Sequence, residues 1–322
     1  MNKGLKITLL VGGLAVVFGT IITVTAFLIM GGNIENISKG DYEMIEYKVE
    51  DVFNKIEVNA LDANVNIFYV ENDECKVVCA ENEYVKHLVS VSDEKLSISR
   101  EIKKNILYYT DLFSNSKIIN VFLPANSYSE LDIKSNSGTI KITDHFEFNQ
   151  VILNSKSGNI AISDINVNDD LSITAESGSI KVESINAKSI SLKSRSGSLS
   201  LSKLDVINSL KLNTESGVVK VSNSNSSNIT ISTTSGSIKL IDVEVKEKLT
   251  LTSRSGAVNL ENSDAKDLNI KTSSGSVVGT LKTSKIFITT SSSGTIDVPK
   301  TTVGGVCEVE TKSGNIKFSI VE

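Results

Sequence analysis

The dipeptide Ser-Gly recurs ten times in this chain at an almost constant period, and that period limits the possible folds more than any other feature. Its glycines are Gly138, Gly158, Gly178, Gly197, Gly217, Gly236, Gly256, Gly275, Gly294 and Gly314, each 19 or 20 residues from the next. Around them the chain reads apolar-x-apolar-x-Ser/Thr-x-Ser-Gly-x-apolar-x-apolar, as in Leu249-Thr-Leu251-Thr-Ser-Arg-Ser-Gly256-Ala-Val258-Asn-Leu260. Alternation with a period of two in each arm predicts β-strands with one buried face.

Two short strands joined by a corner cannot bury that face alone. Stacking successive coils of ~20 residues solves the problem, because each coil pairs with its neighbour and the inward side chains build one continuous core. The fold expected is therefore all-β, a parallel β-solenoid (β-helix). Glycine is expected at the corner because a sharp turn there calls for φ > 0, which glycine adopts cheaply. The serine before it can bond to a nearby backbone group. Three residues before the glycine, Ser135, Ser155, Ser194, Thr214, Thr233, Ser253, Thr272, Ser291 and Thr311 are expected to stack as a polar ladder.

Residues 131–322 thus read as a regular solenoid of ten repeats. Residues 53–130 look like degenerate coils and an irregular N-terminal cap. Ile56-Glu-Val58-Asn-Ala60-Leu-Asp62-Ala63-Asn-Val65-Asn-Ile67 fits the template with Ala63 in the glycine place. Residues 31–52 read as a polar stem. Residues 1–30 read as a cytoplasmic tip and a transmembrane anchor: from Ile7 to Met30 there is no charged residue, a run longer than the ~20 residues that cross a bilayer as a helix. Lys3 and Lys6 precede the run and the first charge after it is Glu35, so the expected topology is single-pass in the cell membrane, N-terminus cytoplasmic and C-terminal domain extracellular. The competing reading, a cleaved signal peptide, has a tolerable site at Val24-Thr25-Ala26, but the apolar run continues past it.

Charge is uneven but not strongly basic. Residues 35–130 hold 18 acidic and 10 basic side chains, and residues 131–322 hold 20 and 21, which argues against a nucleic-acid partner. Cys75 and Cys79 share one face of a strand about 13 Å apart, too far for a mutual disulfide, and Cys307 takes an apolar repeat position. All three read as buried structural thiols. His87 and His145 stand alone and read as solvated, so neither supports a metal site or a catalytic triad. No cofactor is expected.

The serial Ser-Gly-x-Ile/Val units, with Ile119-Asn-Val121-Phe-Leu123-Pro124 leading into Leu131-Asp-Ile133, resemble the bacterial putative-adhesin family across roughly Phe53 to Glu322. The resemblance implies a β-solenoid at the cell surface. LiaG-like relatives with an N-terminal membrane helix imply a link to envelope stress.

Two functional classes stand side by side. One is a surface interaction or scaffold protein, adhesin-like and without catalysis, whose partners are the membrane and a cell-wall polymer or envelope protein. The other is a glycan-processing parallel β-helix, which needs paired carboxylates in a cleft. Its candidates, Asp144, Asp164, Glu183, Asp242 and Glu261, fall in mixed registers beside expected turns. A further candidate is a lysine stripe three residues after the repeat glycine: Lys141, Lys181, Lys220, Lys239 and Lys317, on the solvent side of the strands. It could bind an anionic polymer, or simply keep an exposed sheet soluble.

Overall fold

The computed structural model describes residues 42–83, 85–102 and 117–321 of the 322-residue chain; the anchor expected at 1–30 lies outside them. No helix among the described residues is long and apolar enough to cross a membrane. The described residues form a parallel β-solenoid. Strands of successive coils pair in register over their apolar positions, for example Leu171↔Ile190 and Ile173↔Leu192 on one side of the glycine and Ile180↔Leu199 and Val182↔Leu201 on the other. Those inward side chains are essentially solvent-free and merge into one core from Phe53 to Phe318.

Three corners separate the straight runs of each coil. The first holds the repeat glycine. The second lies six residues further on, where Asp144, Asp164, Ser184, Lys203, Asn223, Asp242 and Asn262 all have positive φ. Asp and Asn tolerate that left-handed conformation better than other residues with a Cβ, which is why they recur there. The third is irregular: the pairing shifts between Val167 and Asp170, Ala187 and Ser189, and Val206 and Ser209.

The reason for glycine at the first corner differs from the expected one. Gly138, Gly158 and Gly178 have φ of 111° to 135°, Gly217 is nearly extended at 158°, and the other six repeat glycines are not in the positive region. What all ten share is a lack of space. A Cβ on any of them would overlap a backbone carbonyl oxygen of the adjacent coil, that of Gly178 for Gly197 and of Gly217 for Gly236. At the first coil the partner is Ala63, so that residue does occupy the glycine place in the stack. The glycines form a backbone-on-backbone column.

The coils do not stack in chain order. Leu268–Thr272 pairs with Cys307–Thr311, which in turn pairs with the strand Lys285–Ser291. Likewise Val277–Leu281 pairs with Ile316–Ile320, which pairs with Ile296–Asp297. The Gly314 coil therefore sits between the Gly275 and Gly294 coils. One inward position explains the choice. Where other coils carry Ile, Val or Leu, the Gly275 coil carries Gly279, and the Phe318 ring of the Gly314 coil fills the space a Cβ would occupy. In chain order Gly279 would face Val298 and leave a void, and voids in a close-packed core are costly. Where the chain leaves for the outermost coil, Asp264 holds the turn. Its carboxylate accepts from the Lys282 and Thr283 amides at 3.0 and 2.6 Å, the Thr283 hydroxyl at 2.8 Å and the buried Lys285 ammonium at 2.8 Å.

The N-terminal end shows the same exchange and then a cap. Lys55–Leu61 and Asn64–Val70 lie between the Gly138 coil and an outer coil built from Lys95–Ile102 and Ile118–Pro124. Both outer strands are covered by antiparallel partners, Val85–Ser92 and Cys75–Glu81. Glu43–Val49, expected within the polar stem, is instead a strand that pairs with Cys75–Glu81. It sits at the sheet edge, and its Glu43, Glu46 and Lys48 suit that place, since charge discourages further strand addition.

The column can be tested at a position where backbone conformation is not the issue. Gly197→Ala should cost about 1–3 kcal/mol through overlap with the Gly178 carbonyl. Lys193→Val, on the exposed face of the same coil, should stay within ~0.5 kcal/mol. Equal unfolding midpoints for the two variants would contradict the column.

Candidate functional surface

The glycine corner organises the outward side chains into rows, because every residue at a given offset from the glycine stacks on its equivalent in the next coil about 4.8 Å away. Directly behind the corner runs the hydroxyl ladder. Ser155 pairs with Ser135, Thr214 with Ser194, Thr233 with Thr214, Ser253 with Thr233 and Thr272 with Ser253. Its chemistry changes along the stack. From Ser253 onward the hydroxyls donate to the glycine carbonyl of the adjoining coil: Ser253 to Gly236 at 3.2 Å, Thr311 to Gly275 at 3.2 Å and Ser291 to Gly314 at 2.9 Å. Ser155, Ser194, Thr214 and Thr233 are buried and make no such bond.

The lysine row lies on one side of the corner. Pairing sets its spatial sequence as Lys141, Ala161, Lys181, Ser200, Lys220, Lys239, Asn259, Val278, Lys317, Asp297. All five lysines point outward, but two are engaged locally. Lys181 is 2.9 Å from Glu183, and Lys239 is 3.4 Å from Glu261. Glu183 also meets Lys203 at 3.3 Å, and these two lysines hold its carboxyl below the usual carboxylate range. Lys317 stacks beside Asp297.

On the other side of the corner, two shallow grooves of about 370 Å³ each run over the ladder. The first is bordered by Lys134, Asn154, Lys156 and Glu176. The second has Thr233, Ser253 and Thr272 along its floor and Arg254, Lys271 and Lys312 with Glu310 on its rims. Lys271 meets Glu310 at 3.3 Å, so the groove keeps a positive excess. Reading the sequence along the lysine stripe alone misses this cluster. Arg254 and Lys312 share the offset two residues before the glycine, and they come within one groove only because the Gly314 coil stacks on the Gly275 coil.

The acidic candidates do not converge. Asp144, Asp164 and Asp242 occupy the positive-φ corner, while Glu183 and Glu261 are tied to lysines. Among the described residues no group of three His, Cys, Asp or Glu is arranged to hold a metal ion. His145 is exposed, but His87 is buried, contrary to the solvated role expected of it. Its ring lies 3.2 Å from Glu81, which also accepts from the Tyr47 hydroxyl at 2.5 Å and the His87 amide at 2.8 Å. Burial opposes ionisation of Glu81, but these donors and Lys86 outweigh it and hold the carboxyl low; burial also pushes the His87 imidazole down. The cluster stitches the cap strands together. The three cysteines are free and buried, and burial pushes each thiol up to about 12.

The sequence profile of the Toastrack DUF4097 family matches this chain twice, over residues 53–207 and 200–322. The chain belongs to that family. Among solved structures, a "putative lipid binding protein" from Parabacteroides distasonis is similar with a TM-score of 0.51 and 14% identity, over 88% of this chain and 98% of the other. A putative adhesin from the same species gives 0.48 at 13% identity, over 86% and 98%. Another from Bacteroides fragilis gives 0.42 at 15%, over 88% and 99%. The first likeness shows a shared fold. No curated protein matches the chain.

The change along the hydroxyl ladder gives two equivalent substitutions different outcomes. Thr311→Val removes a bond to the Gly275 carbonyl and should cost about 1 kcal/mol, whereas Thr214→Val removes an unbonded buried hydroxyl and should be neutral or stabilising. Denaturant unfolding of the pair decides; the reverse order would contradict the assignment.

Proposed function

We propose that this Toastrack-family protein is a membrane-anchored, extracytoplasmic interaction protein that engages an anionic polymer of the cell envelope along its glycine corner. The observation that carries the reading is the array itself. A stacked solenoid repeats each outward position at a fixed step, so basic side chains on both flanks of the corner form rows suited to a linear, repeating partner. The strongest contributors are the groove of Arg254, Lys271 and Lys312 and the outward Lys220 and Lys141 of the lysine row. Lys181 and Lys239 contribute less, because Glu183 and Glu261 already face them. A role in the envelope stress response follows from the same location and from the LiaG-like resemblance.

The anchor rests on the charge-free run Ile7–Met30 and its flanking lysines. The alternative, a glycan-processing β-helix, lacks a supporting constellation among the described residues, since the five acids it would draw on serve corners and ion pairs.

Sedimentation of the protein with purified cell walls at low and high salt tests the reading. Wild type should bind at low salt and be released at high salt, because exposed charge contacts are screened. Changing Arg254, Lys271 and Lys312 to glutamine should weaken binding more than changing Lys181, Lys220 and Lys239. Failure of wild type to bind, or binding untouched by either triple change, contradicts the proposal. Release of new reducing ends from the walls would favour the enzyme. Protease added to intact protoplasts should degrade the solenoid; full protection would contradict its external location.

A further inference from the structure

The two ends of the solenoid are finished differently. At the N-terminal end both outer parallel strands carry antiparallel partners, Val85–Ser92 and Cys75–Glu81, and the second of these is covered in turn by the charged strand Glu43–Val49. At the other end the strand Lys285–Ser291 pairs on one side only, with Gly305–Thr311. Its second edge is a row of backbone donors and acceptors without a strand partner, and from Ile286 to Ile296 there is no charged residue. Natural sheets usually blunt such an edge with charge, proline or a covering segment. Here Asp297 and Pro299 blunt the short second strand of the coil, while the seven-residue first strand is left plain beyond Lys285, whose carbonyl accepts from the Thr301 hydroxyl.

The side chains of this coil are also unfinished. Ile286, Ile288 and Ile296 are 39%, 55% and 44% exposed. Phe287 and Val298 are only partly buried, although their counterparts in the other repeat coils, such as Leu268 and Leu260, are fully buried. A partner strand would complete the backbone bonds and cover these residues together.

We propose that this edge is a dimerisation site, where Lys285–Ser291 pairs antiparallel with the same strand of a second copy of this chain. Two observations favour a second copy as the occupant. First, a two-fold axis through Ile288, the midpoint of the strand, sets Ile288 against Ile288 and Ile286 against Thr290, and the neutral run lets identical strands meet without like-charge repulsion. Second, the exposed Ile286 and Ile288 lie on this same strand, so an isologous contact covers both copies' apolar edges with one patch and closes at two copies.

Disulfide trapping tests this in the full-length protein in membranes of the producing cell. The native cysteines are buried with raised thiol pKa, so they give a low background. Ile288→Cys should form a covalent dimer on mild oxidation, several-fold above Ile207→Cys, which is 65% exposed in the middle of the solenoid. Co-expressed Ile286→Cys and Thr290→Cys chains should cross-link to each other more than either does alone, which fixes the antiparallel register. If Ile288→Cys cross-links no better than Ile207→Cys, the proposal is overturned. It is equally overturned if the mixed pair shows no excess over the single variants.

Discussion

Each of the ten repeat coils rests a glycine against a backbone carbonyl of the adjacent coil, and the rest of the structure follows from that contact. With no Cβ at the corner, the coils approach closely enough for their strands to pair on both sides of it. Strand pairing then stacks the inward Leu, Ile and Val side chains and aligns every outward row. A single methyl in the column would hold two coils apart, and the strain would fall on strands whose stability comes from their neighbours. The hydroxyls beside the column take over part of the same task in the later coils, where they donate to the glycine carbonyls.

A column of identical contacts is indifferent to order, so the order of the coils needs a separate cause. At the C-terminal side that cause is shape: the Phe318 ring needs the space above Gly279, and Asp264 fixes the turn from which the chain departs for the outermost coil. The stacking order in turn decides which charges become neighbours. Arg254, Lys271 and Lys312 gather in one groove, and the uncharged run of the strand Lys285–Ser291 is left on the outside. Packing inside one coil thus sets both surfaces through which the protein is proposed to make contacts.

The strands, their inward faces and the hydroxyl ladder were legible in the sequence because each is a local pattern with a period of two inside a period of about twenty. The positive-φ corner was half legible. Asp144, Asp164 and Asp242 carry the residue type that marks turns, but Ser184 and Lys203 hold the same conformation without that signature. Coil order was not legible, since a repeat defines what stacks and not which copy meets which. The strand Glu43–Val49 looked like stem because edge strands carry the charge that also marks linkers. His87 looked solvated because its partners, Glu81 and Tyr47, come from other strands and converge only in the cap.

The most direct measurement of the close coil-on-coil stacking, in the order that the Phe318 ring and Gly279 set, is a pair of engineered disulfides on neighbouring outward positions. Val278 and Lys317 are direct partners across adjacent coils, whereas Val278 and Asp297 are separated by the Gly314 coil. Parallel strand partners lie about 4.8 Å apart, within disulfide reach, and positions two coils apart do not. The account predicts rapid intramolecular oxidation of Val278→Cys with Lys317→Cys and none of Val278→Cys with Asp297→Cys. Oxidation of the second pair in preference to the first would show coils stacked in chain order and would contradict it.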